Sequence, residues 1–156
     1  MMNCNLGVVN DVKGKKFRSV HGLVYSYNES DSLNDVQEIL MEFEGLPYLM
    51  KVSGGGDGAS IVLTTSPLRE VNMEEYGKLV IKRISSNTLF ANAIDRKVVS
   101  FYCIYSGVEK VTAGVGFEFD NAMKFSIINL GDQLFVFNEI PTDICESERL
   151  AFNSIK

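Results

Sequence analysis

Apolar and polar positions alternate along most of this chain, and the alternation falls into two runs of short segments that resemble each other. In the first run Phe17 to Tyr27 alternates with a period of two, which places Phe17, Ser19, His21, Leu23, Tyr25 and Tyr27 on one strand face. Asn28 to Asp35 is polar and reads as a loop. Val36 to Glu44 opposes Ile39, Met41 and Phe43 to Leu40, Glu42 and Glu44, and Gly45-Leu46-Pro47 turns the chain into Tyr48 to Val52, making a hairpin. Ser53 to Gly58, a glycine-rich tract, reads as a flexible hairpin loop leading to a β-branched strand from Ser60 to Thr65. Leu68 to Gly77 is acidic and reads as irregular or a short helical turn; Lys78 to Ser85 reads as a linking strand.

The second run opens where Ser86 or Asn87 can cap a short helix over Thr88 to Asp95, for which Cys4 to Val12 is the matching helix of the first run. Strands follow at Lys97 to Tyr105, Ala113 to Asp120, Met123 to Asn129 and Gln133 to Asn138. Val98 to Tyr105 and Leu134 to Phe137 are apolar on both faces, as strands covered on both sides are. The tail from Thr142 to Lys156 reads as a short helix or turn.

The two runs share local signatures. Glu42-Phe43-Glu44-Gly45, Gly56-Asp57 and Pro67 are echoed by Glu118-Phe119-Asp120-Asn121, Gly131-Asp132 and Pro141, at offsets that drift only from 76 to 74. Upstream, Lys16 to Val20 matches Lys97 to Phe101 at an offset of 81, so a five-residue difference (81 against 76) falls in the loop between the first two strands of each copy. One strand unit alone leaves an apolar face uncovered, and two can bury those faces together. The expectation is an α+β protein, mostly antiparallel β: two related β-meander units packed as a sandwich or open barrel with one or two short helices. Residues 1–156 form a single domain with an internal pseudo-repeat over about 5–67 and 86–141.

Composition narrows the class. A chain of 156 residues that is 46% hydrophobic and 22% charged fits a globular protein. No stretch has the roughly 20 continuous apolar residues of a membrane-spanning helix, and no secretory leader pattern is evident, so the expected location is the cytoplasm. Cys4, Cys103 and Cys145 are odd in number and widely spaced, which predicts reduced thiols and no metal knuckle. The formal charge of −5 is unevenly spread: ten acids against Lys51 and Arg69 give Glu29 to Glu75 a charge of −8, whereas Lys78 to Lys97 holds five bases and one acid. Such a field repels phosphate backbones and attracts basic surfaces.

Candidate chemistry is sparse. With one histidine and no close cysteine pair, no metal site is expected and no cofactor is implied. Any Ser-His-Asp or Cys-His arrangement would need His21, which reads as a structural imidazole on an apolar strand face. Cys103, in an apolar strand, reads as buried and inert. Glu42 with Glu44, and Glu118 with Asp120, each share a strand face, but pairs of acids just before a turn read first as the solvated side of a hairpin. The glycine tract opens a strand and lacks the Lys and Ser/Thr of a phosphate loop. Two short basic runs, Lys13 to Arg18 and Lys78 to Arg83, do not amount to a nucleic-acid surface in a chain of pI near 4.9.

The order of elements from Asn87 to Pro141, chiefly Gly116-Phe117-Glu118-Phe119-Asp120-Asn121 and Asn129-Leu130-Gly131-Asp132-Gln133-Leu134, resembles the small cytosolic immunity proteins of bacterial toxin systems, including contact-dependent growth inhibition. The resemblance implies a non-enzymatic inhibitor that binds a toxin domain. A nuclease toxin is basic because its substrate is a polyanion, so an acidic partner can be steered onto it. The expected contacts are Glu29, Asp31, Asp35, Glu70, Glu74 and Glu75 on loops flanking the first copy, with Tyr25, Tyr27, Tyr48 or Tyr76 as aromatic anchors. The partner is thus a basic protein, not a nucleic acid or a membrane. Two competing readings are a small-ligand-binding β-rich protein with an apolar cavity, and an enzyme whose carboxylate pairs converge on His21.

Overall fold

The computed structural model describes residues 11–26 and 36–155. Among the described residues the strands are β1 (Phe17–Ser26), β2 (Val36–Phe43), β3 (Met50–Gly54), β4 (Ile61–Thr64), β5 (Val71–Asn72), β6 (Lys78–Arg83), β7 (Val98–Ser106), β8 (Val111–Phe119), β9 (Lys124–Asn129), β10 (Leu134–Phe137) and β11 (Leu150–Ile155), with one α-helix, α1 (Thr142–Ser147). They form two antiparallel sheets of order β4-β3-β2-β1-β6-β5 and β10-β9-β8-β7-β11. The fold is mostly antiparallel β of the α+β class, as the alternation predicts. In each sheet a four-strand meander is completed by a last strand that returns to the open edge of the first, so β6 in one corresponds to β11 in the other.

The correspondence reaches the level of register. Phe17 pairs with Phe43 and Val98 with Phe119; in each case the next pair skips a residue, giving Ser19 opposite Glu42 and Ser100 opposite Glu118. These matching bulges at Arg18 and Val99 turn the strand over. Phe17, Val20 and Val24 therefore face the core, while His21 and Tyr25 fall on the outer face and are half-buried. The reading that kept Phe17 and His21 on one face fails because one extra residue reverses a period-two pattern.

The two units meet at a seam with matched hydrogen bonds, as a local two-fold requires. Lys16 bridges Lys97. Around that bridge, Phe17 N–H donates to Arg96 and Val98 N–H to Lys15, both at 3.0 Å, and Gly14 N–H donates to Val98 at 2.8 Å while Asp95 N–H donates to Phe17 at 2.7 Å. Gly14 and Asp95 share a left-handed backbone, with φ of 86° and 67°. Each of these pairs is related by the offset of 81 seen in the sequence.

Between the sheets lies a core rich in phenylalanine. Phe17 sits within 5.4 to 5.7 Å of Phe43, Phe119 and Phe125, and Phe117 within 4.9 to 5.9 Å of Phe101, Phe125 and Phe43. Rings from both units interleave here, and offset and edge contacts of this kind add to the area they bury. A second cluster lies on the outer face of the second sheet, where Ile140, Ile144 and Leu150 cover Ile104, Ala113 and Ile128. Double coverage is what the apolar character of β7 and β10 predicts.

Three further expectations are corrected. The helix over Thr88 to Asp95 is a set of turns with a 3₁₀ segment, Ala91–Ala93, whose bonds reach back three residues, Phe90 N–H to Asn87 and Ala93 N–H to Phe90, before Asp95 turns left-handed. The tail contains, besides α1, the strand β11, whose pairing comes from the free edge of β7 and not from its own exposed pattern. Cys103 is disulfide-bonded and not a reduced thiol, while Cys145 is a free thiol. The candidate helix from Cys4 to Val12 falls almost wholly outside the described residues. Among those described, no helix is long and apolar enough to cross a membrane.

Candidate functional site

The acidic residues singled out by the sequence do not form one patch. Glu29, Asp31 and Asp35 lie outside the described residues, as does Tyr27. Glu70 is turned into the protein's own sheet: its carboxylate accepts the Ile81 N–H at 2.8 Å, continuing the edge of β6 beyond the two residues that β5 pairs. A side chain so used caps a strand edge, which gives the exposed Glu70 a structural role of its own.

Glu74, Glu75 and Tyr76 are brought together at the tip of the β5–β6 hairpin in a single 3₁₀ turn, all three exposed, Tyr76 by 70%. The tip is fixed. Met73 N–H donates to Gly77 at 2.9 Å, Glu74 N–H to the Asn72 side chain at 2.8 Å, and the Tyr25 hydroxyl to the Tyr76 carbonyl at 2.6 Å. Tyr25 is thereby committed to holding the tip, and Tyr48 donates to Asp11 at 3.0 Å, with burial and that carboxylate raising its pKa. Behind the tip, Val71 and Ile81 expose apolar surface, and Lys78, Lys82 and Arg83 line β6. Acid is concentrated at the tip and base along the strand.

The carboxylate pairs are dispersed. Glu42 accepts a hydrogen bond from Ser19 at 2.9 Å, Glu44 pairs with Arg18, Asp120 pairs with Arg96 at 2.9 Å, and Glu118 stands between Ser100 and Lys124 in the ladder. His21 shares a cavity of only about 110 Å³ with Ser19, Leu40, Glu42 and Leu49. Among the described residues no group of three or more His, Cys, Asp or Glu could hold a metal ion.

The glycine tract is tied down, contrary to its reading as slack. Asp57 accepts the Ala59 and Ser60 N–H groups and the Ser60 hydroxyl at 2.8 to 3.0 Å, and these bonds, the Ser60 N–H first, hold its carboxyl pKa below the usual value. The loop then docks on its counterpart: Asp132 N–H donates to Gly58 and the Asn129 amide to Ser60, both at 2.8 Å.

Two larger concavities lie among the described residues. One, of about 670 Å³, lies where Leu23, Glu38 and Lys51 of the first sheet meet the crossover after β4 and the β9–β10 turn. The other, of about 510 Å³, is on the outer face of the second sheet beside α1. Sequence reasoning missed both, since each depends on which row of a sheet its neighbouring connector leaves uncovered. Compared with protein families, curated proteins and solved structures, the chain matches none.

Proposed function

We propose that this chain is a non-enzymatic immunity protein of the bacterial cytoplasm, which binds and neutralises a basic toxin domain of a contact-dependent growth inhibition system. The supporting observation is the fixed, exposed hairpin tip Glu74-Glu75-Tyr76, with apolar flanks at Val71 and Ile81. An aromatic anchor beside apolar surface, rimmed by charge, has the anatomy of a protein-binding hot spot. Two carboxylates on a projecting tip would steer it toward the cationic groove of a nuclease, where occlusion alone inhibits. In this reading the protein needs no cofactor or metal and engages neither nucleic acid nor membrane.

Affinity capture from the native host tests the reading directly: the captured partner should carry a basic domain whose toxicity the chain abolishes. The tip is tested separately. Glu74→Lys with Glu75→Lys should slow association about ten-fold or more and flatten its salt dependence, and Tyr76→Ala should speed dissociation. Unchanged binding by these variants would move the interface elsewhere, whereas failure to capture any basic domain would remove the function itself. The cytoplasmic placement has its own check, because the Cys103 disulfide favours an oxidising environment. Fractionation of the native host should recover the chain in the cytoplasm; recovery from a compartment outside the cytoplasm would overturn the placement.

A further inference from the structure

We propose that the cleft on the outer face of the second sheet is a binding site for a neutral polyhydroxylated ligand of about one or two sugar rings. The cleft of about 510 Å³ lies within the size range of small-molecule pockets. Its floor is set by register. Ser100, Glu118 and Lys124 form one row across β7, β8 and β9, and Tyr102, Gly116 and Ser126 form the next. A Cβ at Gly116 would overlap the hydroxyl-bearing edge of the Tyr102 ring, so that edge rests on bare backbone, its hydroxyl 3.2 Å from the Ser126 hydroxyl. Phe152 stands across it at 5.8 Å and 65°, giving two aromatic walls at an angle.

The chemistry of this lining selects the ligand class. A phosphorylated ligand needs an excess of cations, but Lys124 is opposed in the ladder by Glu118, and Glu139 adds a second carboxylate to the lining. An apolar ligand would strand the hydroxyls and charges without partners. A sugar answers both demands: its hydroxyls match the serine, carboxylate and ammonium groups, and its C–H face suits the electron-rich face of an aromatic ring. In the first unit the corresponding positions are Ser19, His21 and Glu42, but Leu40 stands where Gly116 does, and the cavity shrinks to about 110 Å³. The difference lies in that side chain on the floor and in the walls, since the connector residues Asn138 to Cys145 and Phe152 of β11 line the second unit's cleft and have no counterparts lining the first.

The test is a titration of the ¹⁵N-labelled full chain, followed by amide shifts, with methyl glucoside, methyl galactoside, N-acetylglucosamine and cellobiose, and with glucose 6-phosphate and tetramethylammonium as opposing probes. Saturable shifts centred on Gly116 and Ser126, with a millimolar or tighter Kd, are expected for at least one neutral sugar. Glu118→Gln and Tyr102→Ala should each weaken that binding about ten-fold or more; Glu118 is exposed, so its variant keeps the fold and stands alone if Tyr102→Ala does not. The proposal is overturned if no neutral sugar saturates, if either opposing probe binds more tightly than every sugar, or if Glu118→Gln leaves the shifts unchanged.

Discussion

The two units differ most in the connector between their fourth and last strands, although they give it almost the same length: residues 65–77 in the first and 138–149 in the second, 13 against 12. In the second unit that connector folds back as α1 and buries Ile140, with Ile144 and Cys145 packed on the outer face of its own sheet. In the first it buries Leu68, 8% exposed as Ile140 is, then joins the edge of the sheet as β5, forms the 3₁₀ turn, and exposes Val71 by 44% and Tyr76 by 70%. The meanders and one buried apolar side chain near the start of each connector are thus held in common, while the rest of the connectors have parted, one folding onto the outer sheet face and one toward the surface. A connector can diverge in this way because the ladders and the phenylalanine core do not depend on it.

The sharpest way to break the comparison is to ask whether the units stand apart at all. Phe17 belongs to the first unit yet packs on Phe119 and Phe125 of the second. Phe17→Ala should cost about 3–5 kcal/mol in a urea titration and leave a single transition seen alike by far-ultraviolet circular dichroism and tyrosine fluorescence. Two separated transitions would show that each meander is stable alone.

Next in size is the connector itself. Ile140, 8% exposed beneath the second unit's connector, should cost about 2 kcal/mol when replaced by alanine, near the low end for such a deletion. Val71→Ala, in the first connector, should stay within about 0.5 kcal/mol. Equal losses at the two sites would remove the distinction drawn between a packed connector and a presented one.

How much of this was open to sequence reading depends on whether the signal is local. Each predicted meander strand overlaps an observed one because its side chains face a core, whereas the seam bridge between Lys16 and Lys97 was not expected, since a repeat offset does not say that the two copies pair. The outer face of β1 was misjudged because the bulge at Arg18 leaves no mark on composition, and one skipped residue carries His21 to the other side. β11 was missed because an exposed edge strand such as Ala151-Phe152-Asn153-Ser154 takes its conformation from the neighbour it pairs with. The hairpin tip was legible as charge at Glu74 and Glu75; that Glu70 caps a strand edge required the three-dimensional pairing. The cleft over Gly116 leaves only a partial mark in the sequence, in that Gly114 and Gly116 fall on one face of β8, and nothing there hints that Tyr102 fills the room they leave.

That room supplies a third test. Gly116→Ala should cost about 1–3 kcal/mol by displacing the Tyr102 ring, and most of the loss should vanish in a Tyr102→Ala background. Gly114→Ala, two residues away, meets the Ile127 carbonyl at 2.6 Å and should show no such rescue, since backbone cannot be trimmed. Rescue at both positions, or at neither, would mean that the ring does not occupy the floor.

The smallest expected effect separates the two hairpin loops that meet between the units. Asp57, in the longer loop, has its pKa lowered by hydrogen bonds from Ser60 and Ala59. A carboxyl that is more acidic folded than unfolded contributes stability fully above its unfolded pKa, about 3.9, and the contribution is lost as pH falls through the lower folded value. The group is fully exposed, so solvent screens it and the change is small. Stability of the parent chain should therefore fall slightly more steeply than that of Asp57→Asn below about pH 4, and the Ser60 amide resonance should titrate with the Asp57 carboxyl in the parent. Parallel acid limbs for the two proteins would place the order of this loop in its docking on Asn129 and Asp132, and not in its own carboxylate.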